Sequence, residues 1–423
     1  MEKIRFIDLF AGIGGIRCGF EMAAKELGLE TECVFTSEIK PYALKVLAQN
    51  HPGEDIHGDI TAIPATAIPD FDILLGGFPC QAFSSAGKRM GFADTRGTLF
   101  FDVERILKEK RPLGFLLENV EGLLTHDKGN TLKTILAHLN ALGYKVNYRV
   151  LNSANFGVPQ ERKRIYIIGT RTKIVPLAHL ETFQKRTVLA GILEKGKPVS
   201  HSPFVTLLLS KFSLEQLYGK SIKDKRGGGT NIHSWDLELK GPVSPEGKCL
   251  LDDLLKERRK KKWAAEIGID WMDGMPLTES QIATFFHSDH LHALLKDLSG
   301  KGYLKYEYPK KKVTLQGVST RVYDETKPKG YNIVAGKLSF EVNKVLDPSE
   351  MTPTLVAMDM QKLYVGDNGG LRRLTLREGL RLFGYPESYK LDVTEKEGFD
   401  LLGNTVVVPV IKAVSIQLLN HLN

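Results

Sequence analysis

The first 170 residues of this 423-residue chain alternate between short apolar segments and longer segments with the apolar spacing of a helix. The pattern predicts strands at 4–10, 32–37, 71–77, 113–119, 145–151 and 164–169, and amphipathic helices at 15–27, 41–50, 96–110 and 130–142. Strands that alternate with helices form a doubly wound, mostly parallel α/β sheet. In such sheets ligands bind beyond the carboxyl ends of the strands, so residues at those ends are candidates for a functional site.

The region from about 181 to 370 lacks this alternation. It contains the glycine-rich stretch KDKRGGG (223–229) and several basic runs, so we expect a second, smaller domain there. Within it, residues 277–315 have the order helix, helix, basic hairpin, which is the order of a winged helix-turn-helix. The same order is common in proteins that bind no nucleic acid, so both interpretations stay open. Helical periodicity returns at 374–384 and 403–419.

The charge balance favours a polyanionic partner. The formal net charge is +8 and the pI is about 9.0. Basic residues are concentrated in ERRKKKW (257–263) and in KKK (310–312). Such runs bind nucleic acid in some proteins and form a solvated helix face in others.

Cysteine usage and hydropathy indicate the compartment. The four cysteines, Cys18, Cys33, Cys80 and Cys249, show no CxxC spacing, which favours a reducing cytoplasm and argues against a zinc site. We find no apolar run of about 18 residues, so no membrane span is expected. The first predicted strand begins at residue 4, so no signal peptide is expected.

The stretch GGFPCQAFSSAG (76–87) places Cys80 where an apolar strand ends and a polar loop begins. Structural cysteines are mostly buried among apolar residues, whereas reactive groups are displayed at strand-to-loop edges. In LLENVEGL (116–123), Glu118 takes the corresponding place at the end of another strand. Together they form a candidate nucleophile and acid, although a lone strand-end carboxylate is more often a helix cap or an ion-pair partner.

Two arginines stand just before the last predicted strand of this domain. Arg162 and Arg164 lie at alternate positions in NFGVPQERKRIYIIG (155–169). Alternate side chains of an extended segment face the same side, so both can reach one site. The alternative is that each is a surface arginine.

IDLFAGIGG (7–15) predicts a ligand-binding turn between the first strand and the first helix. Gly12, Gly14 and Gly15 let the backbone turn tightly and approach a ligand. The dinucleotide motif GxGxxG needs a third glycine where this chain has Arg17, which disfavours a pyrophosphate site and hence a nucleotide-dependent oxidoreductase. A nucleoside fits better, with Phe10 available to stack on a purine.

Two acids follow the next two predicted strands. Glu38, in TSEIK, is placed to bind ribose hydroxyls, and Asp59, in HGDIT, to accept a hydrogen bond from an adenine amino group. A glycine turn by itself is as often structural as functional. A glycine turn followed by acids at two successive strand ends favours a nucleoside site.

Nine segments resemble, in the same order, the motifs of DNA cytosine-5 methyltransferases of the bacterial restriction-modification type. They are DLFAGIGG, SEIK, GDI, GGFPCQAFSSAG, RGTLFFD, LLENV, NFGVPQERKRIYIIG, RRLTLREGLRLFGYP and LLGNTVVVPV. The resemblance covers nearly the whole chain. It implies the S-adenosylmethionine-dependent methyltransferase fold, with a catalytic domain formed by 1–180 plus 371–423 and a target-recognition domain formed by 181–370.

The resemblance also implies roles for individual residues. Cys80 is expected to add to C6 of a cytosine flipped out of duplex DNA, Glu118 to contact N3 of that base, and Arg162 and Arg164 to steady both. S-adenosylmethionine, released as S-adenosylhomocysteine, is expected to be held without a metal by Phe10, Ala11, Gly12, Gly14, Gly15, Glu38, Ile39, Asp59, Ile60, Pro79, Leu99, Asn404 and Val406.

Contacts to DNA are expected in two places. They are the loop after Cys80, at Gln81, Ser84, Lys88 and Arg89, and the basic run Lys260, Lys261 and Lys262. The loop has the composition of a segment that closes over its substrate. The dipeptide Thr354–Leu355 matches one in the family's target region, so a recognition loop is expected nearby.

Two alternatives to a DNA methyltransferase stay open. A transfer-RNA cytosine-5 methyltransferase carries the same motifs but usually has a shorter middle region. A non-catalytic DNA-binding paralogue usually loses the cysteine or the glycine turn, and both are present here. The expected partners are double-stranded DNA and a cognate restriction endonuclease acting on the same site. The protein is expected to be a monomer in the cytoplasm of a bacterial cell or a phage-infected host.

Overall fold

The computed structural model describes residues 3–78, 99–178, 180, 187–224, 231–315, 318–334 and 340–422. The chain divides into two compact units. The first consists of Met1–Lys197, Asp347–Gln361 and Arg373–Asn423, and the second of Pro198–Leu346 and Lys362–Arg372. Segments from both ends of the chain therefore belong to one unit.

The first unit is built on a seven-stranded sheet. Its strands are β1 (Ile4–Leu9), β2 (Thr31–Ser37), β3 (Ile56–His57), β4 (Ile73–Gly76), β5 (Gly114–Val120), β6 (Lys145–Asn152) and β7 (Lys163–Thr170). They lie in the order β3-β2-β1-β4-β5-β7-β6, and only β7 runs antiparallel to its two neighbours. This confirms the predicted fold class. The sequence did not predict β3, because two residues are too few to show a hydropathy pattern.

Helices flank the sheet and build much of the second unit. In chain order they are α1 (Gly15–Glu26), α2 (Pro41–Asn50), α3 (Leu99–Lys110), α4 (Asn130–Ala141), α5 (Pro203–Lys211), α6 (Leu214–Leu217), α7 (Pro245–Glu257), α8 (Lys262–Glu266), α9 (Glu279–Ala283), α10 (Leu291–Gly300), α11 (Ala357–Met360), α12 (Leu376–Leu382), α13 (Glu395–Asn404) and α14 (Val408–Asn420). Helices α5 to α10 lie in the second unit.

Both faces of the central sheet are covered. On one face, Ile7 and Leu9 of β1 join a buried cluster with Phe100 of α3 and Ile135 of α4. On the other face, α1 packs against α14. A Cβ at Gly19 of α1 would lie 2.6 Å from side-chain atoms of α14, so the close approach of the two helices requires glycine there. The apolar faces predicted from helical spacing are thus the faces buried against the sheet.

Residues 187–197 were expected in the second domain but belong to the first unit. The same is true of residues 347–361. The Thr352 N–H donates to the Pro159 carbonyl at 2.8 Å, and the Glu161 N–H donates to the Thr352 carbonyl at 2.9 Å. These backbone bonds hold the segment beside the residues that lead into β7. Pairing of this kind depends on backbone groups, so hydropathy could not reveal it.

The second unit contains three small sheets among its described residues. Their strands are β8 (Leu304–Glu307), β9 (Lys310–Leu315), β10 (Val318–Tyr323), β11 (Gly330–Ile333), β12 (Lys344–Val345), β13 (Leu363–Asp367) and β14 (Gly370–Arg373). The pairs are β8 with β11 and β9 with β10, and β12, β13 and β14 form the third sheet. The basic hairpin expected before residue 315 would pair β8 with β9, and this pairing is wrong: β9 pairs with β10, and β8 pairs with β11. Pro309, which has no N–H, separates β8 from β9.

One segment, Glu395–Asn420, is long and apolar enough to cross a membrane. It consists of α13 and α14, which residues 405–407 separate, and 67% of its apolar window is buried inside the protein. A helix that is apolar on most sides is typical of a protein core as well as of a membrane span. The sequence analysis did not identify it, because polar residues such as Asn404 and Lys412 interrupt the apolar run.

Candidate functional site

The carboxyl ends of five parallel strands lie side by side, in the order β3, β2, β1, β4, β5. The glycine turn follows β1, and Glu38 follows β2 directly. Asp59 is the second residue after β3. Glu118 lies near the end of β5. The fold therefore brings the glycine turn, Glu38 and Asp59 to one half of this edge and Glu118 to the other half, as expected for a ligand site of a doubly wound sheet.

The turn after β1 has a backbone that can receive a ligand. Phe10, Gly12 and Gly14 have φ of 56°, 56° and 70°, in the left-handed region that glycine adopts freely and phenylalanine rarely does. Non-glycine residues held in that region cluster at active sites and ligand-binding sites. A Cβ placed on Gly12 would meet no heavy atom within 4 Å, so the space in front of the turn is open. The Ala11 carbonyl accepts the Gly14 N–H at 2.7 Å and closes the turn.

Two tyrosines that the sequence analysis missed hold the turn from behind. The Tyr389 hydroxyl donates to the Ile13 carbonyl. The Tyr385 and Thr405 hydroxyls are hydrogen-bonded at 2.6 Å. Burial raises the pKa of both phenols, so each keeps its proton at neutral pH. Both lie after α12 in GYPESY, and only their position in the fold shows that they support the turn.

The glycine turn near the start of the chain packs closely against residues near its end, at Gly15 and Val406. A Cβ on Gly15 would lie 2.5 Å from the Tyr385 hydroxyl oxygen and 2.8 Å from Val406 Cγ2. These distances are too short for any side chain. Gly15 is therefore required for packing, and Val406 supports the turn from its buried side.

Glu38 connects the first two strand ends. Its Oε2 accepts the Gly12 N–H at 2.7 Å, and its Oε1 accepts the N–H groups of Ile39 and Lys40 at 2.8 Å each. A carboxylate has about four acceptor positions, so Glu38 can hold the turn and still accept bonds from hydroxyl groups. The side chain of Ile39 is 66% exposed beside it, which is unusual for isoleucine and suits contact with an apolar ring.

The acid after β3 is exposed and partly engaged. Asp59 Oδ1 accepts the backbone N–H and the hydroxyl of Thr61 at 2.9 and 2.8 Å. This arrangement caps a short 3₁₀ turn and fixes the carboxylate at the strand end. Ile60 is buried in the core, so it supports the loop from below.

Leu99 and Asn404 lie at helix ends. Leu99 is the first residue of α3 and is half-buried. Asn404 ends α13, and its Nδ2 donates to the Asp400 carbonyl at 2.8 Å. The Asp400 carboxylate in turn accepts from the Lys40 ammonium at 2.9 Å. Asn404 is thereby held near the end of β2, where Glu38 lies.

Glu118 is the central acid of the other half of the edge. Arg164 Nε lies 3.2 Å from Glu118 Oε1, on the neighbouring antiparallel strand. A Cβ on Gly77 would lie 3.8 Å from Glu118 Oε2, so the carboxyl group is next to the end of β4. Burial raises the pKa of Glu118 above its ordinary value, and Arg164 and Arg162 act against that rise. The side chain of Glu118 is 12% exposed, and a carboxyl that is largely shielded from water can hold a proton at a pH where an exposed one has lost it.

Arg162 is buried and bonded to backbone groups. Its Nη1 donates to the Leu355 carbonyl at 2.8 Å, and its Nη2 donates to the Gly403 and Thr405 carbonyls at 3.2 and 2.9 Å. Burial and the charge of Arg164 lower the pKa of this guanidinium. Of the two predicted arginines, Arg164 pairs with Glu118, while Arg162 joins three chain segments and acts on Glu118 through its charge.

Asn119 is a third residue that the sequence did not predict. Its Nδ2 donates to the Phe78 carbonyl at 3.0 Å, and its Oδ1 accepts the Val120 N–H at 2.8 Å. Asn119 is buried, and Phe78 is the last described residue before the predicted nucleophile. The sequence signal that could have identified it is the polar asparagine directly after Glu118 in the segment LLENV.

A cavity of about 560 Å³ lies beside this half of the edge. It is lined by Val120, Glu121, Gly122, Asn152, Glu161, Lys163, Arg164, Pro353 and Thr354. Arg164 therefore reaches both the cavity and Glu118. The Thr354 hydroxyl donates to the Glu161 carbonyl at 2.7 Å, which fixes the Thr354–Leu355 dipeptide at the cavity wall. The charged lining suits a polar ligand.

Some predicted residues lie outside the described part of the chain. They are Pro79, Cys80, Gln81, Ser84, Lys88 and Arg89. Within the described part, no group of three or more His, Cys, Asp or Glu side chains could hold a metal ion.

Two of the three predicted DNA-binding lysines of the second unit, Lys260 and Lys262, have partners within the protein. The Lys260 ammonium pairs with the Glu257 carboxylate. Lys262 Nζ lies 4.0 Å from the centre of the Trp263 ring. Lys261 is exposed at the start of α8. The basic run is therefore partly engaged within the protein.

Comparison with known proteins identifies close relatives over the full length. The chain matches the family of C-5 cytosine-specific DNA methylases over residues 4–420. It is 61% identical to the Type II methyltransferase M.NlaIV of Neisseria lactamica and 60% identical to M.NgoBV of Neisseria gonorrhoeae, each over 100% of both chains. It is 44% identical to M.BanI of Aneurinibacillus aneurinilyticus, covering 97% of this chain and 95% of that protein.

Solved structures share the fold at low sequence identity. The Entamoeba histolytica methyltransferase EhMeth matches with a TM-score of 0.56 at 16% identity, over 100% of both chains. The S. pombe Dnmt2 methyltransferase matches with a TM-score of 0.54 at 18% identity, also over 100% of both chains. These likenesses show the methyltransferase fold.

Proposed function

Since the chain belongs to the C-5 cytosine-specific DNA methylase family, we propose that Cys80 and Glu118 act together on a cytosine flipped out of duplex DNA. The protein is a DNA cytosine-5 methyltransferase of a type II restriction-modification system, and its methyl donor is S-adenosylmethionine.

The reaction needs a nucleophile because C5 of cytosine attacks a methyl group poorly. The Cys80 thiolate adds to C6 and forms an S–C6 bond, which moves electron density to C5. S-adenosylmethionine supplies an electrophilic methyl sulfonium. After C5 has gained the methyl group, a base removes the C5 proton and the S–C6 bond breaks, which restores the ring and the thiolate. The thiolate is accessible near neutral pH where the local field is positive.

Glu118 has the environment that this addition requires. Negative charge develops at N3 as the thiolate adds, and a protonated carboxyl group there neutralises it. The observation that carries the proposal is the position of Glu118: its side chain is only 12% exposed, its pKa is raised, and it pairs with Arg164 beside the end of β4. Arg164 keeps the carboxyl oriented and supplies positive charge near the thiolate and the DNA phosphates.

The base must leave the helix to reach such a site. The cavity of about 560 Å³ favours this step, because it offers space for a nucleotide beside Arg164, which pairs with Glu118. Within the proposal, the loop with Gln81, Ser84, Lys88 and Arg89 closes over the DNA once the base has entered.

The turn after β1 fits S-adenosylmethionine. Within the proposal, the open backbone at Gly12 approaches the ligand, and Phe10 and Ile39 pack against its purine. Glu38 accepts bonds from the ribose hydroxyls, and Asp59 accepts one from the adenine amino group. The other proposed cofactor residues are Ala11, Gly14, Gly15, Ile60, Pro79, Leu99, Asn404 and Val406.

The second unit is the proposed target-recognition domain, since the first contains the whole candidate site. The relatives named Type II methyltransferases favour a bacterial cytoplasmic enzyme with a cognate restriction endonuclease. We also propose that the enzyme acts as a monomer.

Methyl transfer with a trapped substrate tests the proposal. Wild-type protein and Cys80→Ser are incubated with labelled S-adenosylmethionine and either duplex DNA or transfer RNA, and bisulfite mapping locates the product. A duplex with 5-fluorocytosine at the mapped position should form an adduct that survives a denaturing gel, because fluorine cannot leave as a proton does. Cys80→Ser should lose methyl transfer and the adduct while still binding cofactor and DNA.

Two results would contradict the proposal. Turnover by Cys80→Ser above about 1% of wild type is incompatible with loss of a nucleophile. Label in transfer RNA but not in duplex DNA would favour the RNA-modifying alternative.

A further inference from the structure

The second unit contains the full element order of a winged helix. The order is α7, an extended residue Leu277, α9, α10, β8, the β9–β10 hairpin and β11, with the short helix α8 inserted between α7 and Leu277. Leu277 forms an antiparallel bridge with Tyr331 of β11, and β11 also pairs with β8, so three extended segments form a small sheet. Side chains of α7, α9, α10, β8 and β11 share one buried core. The β9–β10 hairpin projects from that sheet as the wing.

One face of the wing carries three cations. The register pairs Lys310 with Tyr323 and Lys312 with Arg321. Cross-strand partners, and residues two apart in a strand, point to the same face of a hairpin. Lys310, Lys312 and Arg321 therefore share one face with Tyr323, and Lys311 points to the other face.

The two faces differ in their ion pairs. Lys311 Nζ lies 3.2 Å from Asp324 Oδ1. Lys310, Lys312 and Arg321 have no salt bridge with any described residue, and Lys310 Nζ instead lies 4.9 Å from the centre of the Tyr323 ring. The nearby acid of the sheet, Glu307, is already paired with Lys305 at 2.7 Å. The charges of the first face are therefore available to a partner.

Local charge separates the wing from the other basic run. Residues 301–334 contain eight Lys and Arg but three Asp and Glu, a net charge of +5. Residues 252–273, which contain ERRKKKW, have six of each and no net charge. In that run Arg258 is buried against Asn332, and Lys260 pairs with Glu257. Long-range attraction to a polyanion therefore comes from the wing.

We propose that the wing face formed by Lys310, Lys312 and Arg321 binds the phosphate backbone of duplex DNA. This inference deepens the proposed function, because it takes duplex DNA as the substrate. Spaced cations beside an aromatic ring fit phosphates along a strand, and contacts of this kind position a protein without reading bases. The run 257–263 is then a structural and solvated segment.

Salt-dependent binding of each variant to a duplex that contains the mapped site tests the inference. The double variant Lys310→Ala, Lys312→Ala should bind the duplex more weakly. The slope of the logarithm of its binding constant against the logarithm of the salt concentration (the salt slope) should become shallower by about 2, since each lost phosphate contact changes that slope by about 1. Adding Arg321→Ala should bring the change to about 3. The matched control is Lys311→Ala, from the same run but the opposite face, which should leave the slope unchanged. Lys260→Ala, Lys261→Ala and Lys262→Ala combined should also leave it unchanged.

The outcomes separate this inference from the proposed function. Lys310→Arg with Lys312→Arg should restore the slope, and thermal unfolding should show that each variant is folded. Bisulfite mapping should give the same methylated sequence for every variant. An unchanged slope in the Lys310 and Lys312 variant, or an equal change in Lys311→Ala, would overturn the inference. Methyl transfer by the wild type to duplex DNA would still stand.

Discussion

Arg164 and Glu118 form an ion pair across the antiparallel strands β7 and β5, with 3.2 Å between Arg164 Nε and Glu118 Oε1. Burial raises the pKa of Glu118, and the arginine opposes that rise. The pair therefore keeps the carboxyl buried beside the end of β4 while limiting how far its pKa rises. A group that must share a proton with a reacting base near neutral pH needs this balance.

Glu118→Gln should lower kcat by about 10²-fold or more, because the amide cannot give a proton to N3. The wild-type rate of methyl transfer should fall at high pH, as Glu118 loses its proton. The residual rate of the variant should not show this fall. Steady-state methyl transfer across the pH range measures both. Glu104→Gln is the control. Glu104 is a half-buried carboxylate on α3, and its Oε1 lies 2.8 Å from His138 Nδ1. If Glu118→Gln had the kcat and the pH dependence of the wild type, Glu118 would have only a structural role.

Asn119→Asp should lower kcat by about 10- to 100-fold and leave cofactor binding intact. The aspartate cannot donate to the Phe78 carbonyl, so the residues that follow β4 lose their anchor, and small displacements of reacting groups are costly. Asn147→Asp is the matched control. Asn147 makes the same pair of bonds on β6, to the Val175 carbonyl and from the Tyr148 N–H.

Single-turnover methyl transfer and cofactor titration give the two readouts for these variants. If both asparagine substitutions lowered kcat equally, the effect would be general destabilisation. A specific role of Asn119 in holding Phe78 would then be excluded.

Tyr389→Phe should raise KM for S-adenosylmethionine several-fold with a smaller change in kcat. Loss of the hydroxyl leaves the Ile13 carbonyl without its donor, so the glycine turn is less well held when the cofactor binds. Tyr144→Phe is the control, because the buried Tyr144 hydroxyl donates to the Pro112 carbonyl at 2.9 Å. Equal KM values for Tyr389→Phe and wild type would show that the bond does not support cofactor binding.

The sequence predicted those parts of the site that depend on local pattern. The strand ends before the glycine turn, Glu38 and Glu118 follow from hydropathy, because the carboxyl ends of parallel strands meet at one edge. Tyr389 and Asn119 could not be found in this way. Each acts through one hydrogen bond to a backbone carbonyl far away in the sequence or on another strand, and such a bond leaves no periodic signal.

The second unit shows a different limit of sequence analysis. The basic runs 257–263 and 310–312 look alike as sequence, yet the first lies in a charge-neutral segment and the second in a hairpin that separates alternate lysines. Strand register decides which face each lysine takes, and register depends on the pairing of β9 with β10. The sequence therefore predicted a basic region but could not show which lysines were free.

Asp8 gives a prediction on stability. Its side chain is buried in β1, and neither carboxyl oxygen has a hydrogen-bond partner among the described residues. Burial raises the pKa of Asp8 from 3.8 to about 7, with Arg17 acting against the rise. Between pH 4 and 7 the folded protein keeps a proton that the unfolded chain has released. The free energy of unfolding should therefore fall as pH rises through that window and be independent of this group below and above it.

Asp8→Asn should remove this dependence, because the amide does not titrate. From the shift in pKa, the wild type should lose up to about 4 kcal/mol of unfolding free energy across the window relative to the variant. Urea unfolding of both proteins at several pH values between 4 and 8 measures the difference. Asp70→Asn is the control, since its carboxylate is 86% exposed. If the unfolding free energies of wild type and Asp8→Asn changed with pH in parallel, Asp8 would be ionised in the folded protein. A bound water or Arg17 would then have to compensate its buried charge.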